Sequence, residues 1–184
     1  MNYYSNEIIN NIIDTSELID IVDKVNDFKN EVHMLFIYFA FYHINLDYIH
    51  NLLEDDANHI AFRCMDTSTF NIRNCPSAMI YRRYRKNGVC IYYILMICTK
   101  PNFKKFGYAS AMLDDFIGRI REYKNIGEEH LTYKIVLSSV NTAVSYYQKY
   151  GFTITNDNLH DHPILSRFEI PEENKPSHIM ELCI

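Results

Sequence analysis

The sequence predicts an α/β (α+β) fold, with a mixed central sheet flanked by helices and a helical N-terminal segment. Three observations lead to this prediction. Two runs rich in Tyr, Ile and Val, at residues 78–85 and 89–98, are joined by a turn sequence. Helix and strand patterns alternate after residue 108, and apolar residues at helical spacing dominate the first 28 residues. With 184 residues, 48% of them apolar, the chain can bury one sizeable core, so we expect one domain over residues 1–184.

The N-terminal third contains helical and ambiguous patterns. Residues 5–13 and 16–28 place apolar side chains at helical spacing, and Thr15 is a suitable N-cap for the second helix. The aromatic and β-branched run at 34–42 fits a buried strand or a buried helix equally, and we favour the strand. The next predicted elements are a helix and a strand, at residues 47–55 and 59–65.

The elements are better defined from residue 78 onward. Asn87 and Gly88 separate the two Tyr-rich runs and are typical of a tight turn, so we expect an antiparallel hairpin. Pro101 ends the second strand, and a helix begins near Tyr108. The remaining predicted elements are a strand, a helix closed by Gly151 and two further strands, at residues 133–138, 142–150, 152–155 and 178–184.

Composition and charge argue against several classes of function. A net charge of −5 provides no basic field for a nucleic-acid backbone. The five cysteines show no Cys-x-x-Cys spacing, which favours reduced thiols over a disulfide framework or a zinc site. The longest apolar run, at residues 32–44, is shorter than the roughly 18 residues that span a bilayer, and no secretory pattern precedes it. We therefore expect a cytoplasmic protein without nucleic-acid or membrane partners.

The segment between the second strand of the hairpin and the next helix is the most informative part of the sequence. A strand that enters a tight turn and then a helix directs backbone N–H groups outward, which creates a site for a phosphate or pyrophosphate. Gly107 would let the backbone approach such a ligand, and Lys104 and Lys105 would supply positive charge. The alternative is an ordinary strand-to-helix turn with solvated lysines.

Residues 104–109 resemble a known family signature. Their sequence, Lys-Lys-Phe-Gly-Tyr-Ala, is similar to the Gln/Arg-x-x-Gly-x-Gly/Ala motif of the GCN5-related N-acetyltransferase (GNAT) superfamily. Lys104 stands where Gln or Arg is usual, and Lys105 where Gly is frequent. A second block, at residues 141–152, resembles a later helix of the family, with Tyr147 four residues before Gly151. The resemblance covers roughly residues 78–152 and the last strand.

The resemblance implies a single GNAT-type domain that uses acetyl-CoA as co-substrate. By analogy, acetyl-CoA lies between two parallel strands, at residues 89–98 and 133–138. The coenzyme contacts that the resemblance implies are Ile97, Cys98, Thr99, Lys104, Lys105, Phe106, Gly107, Tyr108, Ala109, Ser110 and Asn141. No metal is expected, because His160, Asp161 and His162 lie in a proline-punctuated loop without further ligands.

The implied reaction is direct attack of a primary amine on the thioester in a ternary complex. Tyr147 is the implied catalytic residue, which donates a proton to the departing thiolate. Tyr146 is the alternative candidate for this proton donor. The strand at 89–98 contains no Asp or Glu to act as a base. Proton loss through water, relayed by Ser138 or Tyr92, is the route that we consider instead.

Several alternatives stay open at the level of sequence. The acceptor is a small molecule, a polyamine, an amino sugar or a protein amine, and a homodimer is compatible with the sequence. The absence of a strand carboxylate supports the main alternative to an enzyme, which is a catalytically weak or inactive GNAT-fold protein that binds acyl-CoA or another protein. A helical interaction protein built on the N-terminal third is a third hypothesis. The irregular segment at 156–177 is long enough to form a flap over the acceptor side.

Overall fold

The computed structural model describes residues 18–20, 46–65, 74–126, 131–169 and 176–184. The strands are β1 Leu18–Asp20, β2 Asn58–Arg63, β3 Ser77–Lys86, β4 Val89–Thr99, β5 Thr132–Val140, β6 Thr153–Ile154 and β7 Ser177–Cys183. The helices are α1 Leu46–Glu54, α2 Tyr108–Ile126 and α3 Asn141–Gln148.

The seven strands form one sheet, in which hydrogen-bonded strands follow the order β1-β2-β3-β4-β5-β7-β6. The β4–β5 pair is parallel, whereas β1–β2, β5–β7 and β6–β7 are antiparallel. The predicted mixed sheet with helices is confirmed.

The hairpin between β3 and β4 follows the prediction closely. Asn87 has φ 52° and Gly88 has φ 76°, so both central residues of the turn are left-handed. Two consecutive positive φ values define the type I′ turn, whose twist matches that of the flanking strands. The Asn-Gly pair therefore sets the register of β3 against β4.

The N-terminal helix predicted over residues 16–28 is wrong at Leu18–Asp20. These residues form β1, which pairs antiparallel with Ala61, Phe62 and Arg63 of β2. A three-residue edge strand has too few positions to show a periodicity of two, and it is defined by its ladder with β2 instead. The rest of that helix, the helix predicted at 5–13 and the strand predicted at 34–42 lie outside the described residues.

The described chain divides into two compact units. The first comprises the residues up to Ile80 together with Ile97–Gly118. In it, α1 buries Ile49, Leu52 and Leu53, which follow the helical spacing that the sequence predicts. The side-chain amide of Asn58, at the start of β2, donates to the carbonyl of Leu52 at 2.8 Å. This bond satisfies a carbonyl at the end of α1 and ties the helix to the strand.

The second unit comprises Tyr81–Met96 and Arg119–Ile184. Its parallel ladder runs from Val89↔Thr132 to Ile94↔Leu137. Beyond Leu137, β5 continues to Val140 and stays paired with β7 as far as Val140↔Ser177. Within the described ranges, the end of β5 therefore has a strand partner on one edge only. The core of the unit includes Tyr92, Tyr93, Ile94, Ile135, Val136, Leu137, Leu165, Met180 and Leu182.

In the part of the chain that the structure describes, no helix has the length and apolar character of a membrane span. The one-domain prediction is not decided by the division into two units, and it stays a prediction.

Candidate functional site

The predicted coenzyme loop, residues 101–110, follows β4 in the first unit. Pro101–Phe103 form a 3₁₀ turn, in which the N–H of Phe103 donates to the carbonyl of Lys100 at 2.9 Å. The N–H of Lys104 donates to the carbonyl of Pro101 at 3.3 Å, and that of Phe106 to Phe103 at 3.4 Å. The first bond of α2 runs from the N–H of Ala111 to the carbonyl of Gly107 at 2.9 Å. Gly107 is therefore the N-cap of α2.

The loop presents several backbone N–H groups at this helix start. Among the described residues, the N–H groups of Lys105, Gly107, Tyr108 and Ala109 have no acceptor. Lys105 has φ 72° and Gly107 has φ 84°, so the backbone is left-handed at alternate positions. These N–H groups lie at the start of α2, where the helix dipole adds positive electrostatic potential that favours an anion. This geometry can hold a phosphate or pyrophosphate.

Side chains around the loop have different environments. Lys104, Lys105 and Phe106 are exposed, whereas Tyr108 is buried against Phe103 with ring centroids 5.7 Å apart. Burial raises the pKa of Tyr108, so its phenol stays protonated at neutral pH. The buried side chain of Tyr108 anchors the start of α2, while the backbone N–H of the same residue stays available to a ligand in the loop.

Ile97, Cys98 and Thr99 form the end of β4 and are half-buried. The hydroxyl of Thr99 lies 2.7 Å from that of Ser77 on β3. Burial raises the pKa of the Cys98 thiol to about 12, so that it remains protonated. The side chains of this segment are thus neutral.

Tyr147 lies on α3 in the second unit and is buried. Its ring contacts those of Tyr146 and Phe152, with centroids 5.1 and 5.8 Å apart. Burial, and then the nearby Glu169, raise the pKa of Tyr147 to about 12. Tyr146 is half-buried and faces Tyr150 at 5.4 Å. The two tyrosines therefore differ in surroundings, and Tyr147 is the phenol that lies near a carboxyl group.

Glu169 is a candidate site residue that sequence reasoning missed. Burial raises the pKa of its carboxyl group, although a hydrogen bond from Ser138 lowers it in part. Ser138 is the first residue of β5 beyond the ladder with β4. The structure thus brings Ser138, Tyr147 and Glu169 together beside the part of β5 that has one free edge. No periodicity marks Glu169, because it lies in the irregular segment after β6.

The comparisons with known proteins bear on this arrangement. Residues 77–165 match the acetyltransferase (GNAT) domain family. These residues form a GNAT-family domain. The match begins at β3, contains both the coenzyme loop and Tyr147, and ends four residues before Glu169. It indicates acyl transfer from an acyl-CoA as the general class of activity.

Solved structures show the same fold. Naa50 from Arabidopsis thaliana, in complex with the bisubstrate analogue CoA-Ac-MVNAL, is 17% identical over 91% of this chain and 98% of that chain, with a TM-score of 0.57. Tetrahymena GCN5 is 15% identical over 92% and 95%, with a TM-score of 0.57. An IAA acetyltransferase from Bacillus cereus is 12% identical over 92% and 100%, with a TM-score of 0.56. A search of curated protein sequences finds no match.

Tyr92 and Ser138, the two alternatives for a proton relay, lie on opposite faces of the sheet in the GNAT domain. Tyr92 is in register with Ile135 on β5, and the side chains of a strand alternate between the two faces of the sheet. Ser138, three residues after Ile135, therefore lies on the opposite face from Tyr92. Burial raises the pKa of Tyr92 to about 12, and the guanidinium of Arg83 lies 5.8 Å from its ring centroid.

Asn141 begins α3 of the GNAT domain and is exposed. Its side-chain oxygen forms a close hydrogen bond with Nε2 of His178 on β7. This oxygen is thus engaged within the second unit, next to the end of β5. A coenzyme contact through the side chain of Asn141 would compete with His178.

The His160-Asp161-His162 segment of the GNAT domain is part of a built turn. The Nδ1 atom of His162 accepts hydrogen bonds from the N–H groups of Ile164 and Leu165 at 3.3 and 3.2 Å. Its ring contacts Tyr93 edge-on at 5.5 Å, and burial lowers its pKa. The described residues contain no group of three or more His, Cys, Asp or Glu placed to hold a metal. His162 instead fixes the segment that carries Glu169.

Proposed function

We propose that this protein is an N-acetyltransferase that moves the acetyl group of acetyl-CoA to a primary amine by direct attack in a ternary complex. The observation that carries the proposal is the set of N–H groups at Lys105, Gly107, Tyr108 and Ala109, which have no acceptor among the described residues. The pyrophosphate of CoA provides the oxygen acceptors that such a helix start lacks. The GNAT match over residues 77–165 supports the same coenzyme.

The other coenzyme contacts are proposed by analogy. Backbone groups of Ile97, Cys98 and Thr99 would pair with the pantetheine, and one of them would polarise the thioester oxygen. Lys104 would add positive charge beside the pyrophosphate, and Phe106, Ser110 and Asn141 complete the proposed set. The proposal includes a cytoplasmic protein that acts without a metal and without nucleic-acid or membrane partners, and a homodimer is compatible with it.

The amine must lose a proton before or during its attack. A lysine-like amine with a pKa of about 10.4 costs about 4.6 kcal/mol to deprotonate at pH 7, whereas an α-amino group near 7.7 costs about 1 kcal/mol. We propose Glu169 as the group that accepts this proton, because a carboxylate with a raised pKa holds a proton better than an ordinary one. The nitrogen then bonds to the acetyl carbon, the C–S bond breaks, and Tyr147 donates its proton to the thiolate.

Binding and turnover test this function separately. Acetyl-CoA should raise the melting temperature of the full chain, since a ligand that binds only the folded state stabilises it. Free CoA, measured with a thiol reagent, should then appear only when a suitable amine is present. Failure of acetyl-CoA and CoA to bind would contradict the proposal. Binding without turnover on small amines, polyamines, amino sugars and peptides would instead favour the non-catalytic acyl-CoA-binding protein.

The variant Gly107→Ala tests whether the loop binds the coenzyme. At φ 84°, a Cβ atom strains the backbone by about 1–2 kcal/mol, which we expect to weaken acetyl-CoA binding by about tenfold. Gly118→Ala in α2 is the matched control, because a Cβ atom there meets nothing within 4 Å. That control should stabilise the protein by about 0.5–1 kcal/mol and leave the affinity unchanged. Isothermal titration of both variants gives the comparison, and unchanged affinity in Gly107→Ala would count against the loop as the coenzyme site.

A further inference from the structure

A pair of buried cysteines in the first unit takes no part in the function proposed above. Cys64 follows β2 directly, and Cys75 lies two residues before β3. Both side chains are fully buried, and their Sγ atoms are 2.6 Å apart. The N–H of Met65 donates to the carbonyl of Asn74 at 3.2 Å, which holds the two segments side by side next to the sulfurs. The two sulfurs are not joined by a disulfide.

Lys100 supplies a positive charge to this pair. Lys100 is 6% exposed. Its backbone N–H donates to the backbone carbonyl of Pro76, the residue after Cys75, at 2.9 Å. The hydrogen bond with Cys75 lowers the pKa of Cys64, burial raises it in part, and the charge of Lys100 lowers it further. The same hydrogen bond and burial raise the pKa of Cys75. The two thiols are therefore unequal, since the pKa of Cys64 is lowered and that of Cys75 is raised.

We propose that Cys64 and Cys75 form a redox modification site that a small hydroperoxide converts into a disulfide. The geometry carries this proposal, because the two sulfurs already lie close to the bond length of about 2.05 Å and both are enclosed by the core. A thiolate beside a cation is the reactive form of cysteine, and a neighbouring thiol is the usual resolving partner. Burial restricts the site to small oxidants and to reagents that enter during local opening.

The chemistry balances with hydrogen peroxide as the oxidant. The thiolate of Cys64 attacks one peroxide oxygen, the O–O bond breaks, and the released hydroxide takes up a proton to give water. Cys64 is then a sulfenic acid. The sulfur of Cys75 attacks the sulfur of Cys64, the S–O bond breaks, and the proton of Cys75 leaves with the hydroxide as a second water. Two thiols are oxidised by two electrons, and one peroxide is reduced.

Peptide mapping of the full chain tests this site. The protein is treated with hydrogen peroxide, its remaining thiols are alkylated under denaturing conditions, and the digest is analysed by mass spectrometry. We expect a Cys64–Cys75 linked peptide that dithiothreitol removes, and a higher melting temperature for the oxidised chain, because the link restrains the unfolded state. Cys183→Ser is the matched control, since it removes an exposed thiol and should leave the linked peptide unchanged.

Two single variants test the order of the steps. Cys75→Ser should leave a sulfenic acid on Cys64 that dimedone labels, whereas Cys64→Ser should leave Cys75 unlabelled. If either variant fails to fold, the mapping of the wild-type chain still decides the proposal. Cys64 and Cys75 recovered as dithiols after Cys183 has been fully oxidised would overturn it. Links from either residue to Cys98 or Cys183 would overturn it as well. The site does not depend on the proposed acetyltransferase activity.

Discussion

Tyr147→Phe is expected to lower kcat by about 10²–10³-fold, since the variant cannot supply a proton or hydrogen bond to the leaving thiolate. The wild-type phenol is buried and its pKa is raised to about 12, so it is protonated across the range in which enzymes are assayed. Phe keeps the ring that packs against Tyr146 and Phe152. The affinity for acetyl-CoA should therefore change little. Single-turnover kinetics and equilibrium binding, measured on the same preparation, separate the two effects.

Tyr146→Phe is the control for this prediction. Tyr146 is adjacent in sequence, is half-buried and packs against Tyr150, so its phenol lies in a different environment. We expect nearly wild-type turnover from this variant. An equal loss in both variants would assign the effect to the packing of the tyrosine pair, and full turnover in Tyr147→Phe would remove Tyr147 from the mechanism.

Glu169→Gln should lower kcat/KM by about a hundredfold at neutral pH, because the amide cannot accept the proton of the amine. In the wild-type protein, kcat/KM should rise with pH through the raised pKa of Glu169 and then level off. The variant should lack the part of this rise that follows the pKa of Glu169 and keep only the part that follows the amine. Profiles of both proteins, measured from pH 5 to pH 9 with one amine substrate, test both statements, and profiles of the same shape would contradict the role of Glu169.

Stability distinguishes a catalytic Glu169 from a structural one. The pKa of Glu169 is raised in the folded state, so this group contributes most to the stability of the protein below its ordinary pKa of about 4.3, where it is protonated. That contribution is lost as the pH rises through the folded-state pKa. Gln resembles the protonated form, so the variant should be at least as stable as the wild type at pH 7. A purely structural carboxylate would give the opposite result. Ser138→Ala should move the rise in kcat/KM that follows the pKa of Glu169 to higher pH, because it removes the hydrogen bond that lowers this pKa.

The sequence predicted the secondary-structure elements that depend only on residues close to one another in the chain. The Asn87-Gly88 turn, the helix that starts at Tyr108 and the strand before the coenzyme loop depend on backbone preferences of neighbouring residues, and the structure has each of them. β1 could not be found in this way, because three residues at a sheet edge are strand only through their pairing with β2. Periodicity over so short a segment carries no information.

The site residues that the sequence did not predict were missed for a different reason. Glu169 meets Ser138 and Tyr147 through the path of the segment after β6, which has no repeating pattern. Cys64 and Cys75 are brought together by neighbouring strands, and their separation of 11 residues resembles no cysteine motif. The burial of Lys100 beside them is equally a product of packing. Such contacts between distant segments are decided by the tertiary structure, so sequence reasoning had nothing from which to predict them.

Lys105 gives the coenzyme loop a property that a glycine would not. An L-residue at φ 72° carries about 1–2 kcal/mol of backbone strain, which a glycine in the same conformation would avoid. The contacts around Lys105 must outweigh this strain to hold the loop in the folded chain. An anion that accepts hydrogen bonds from the loop in this conformation would add to those contacts, so part of its binding free energy would offset the strain.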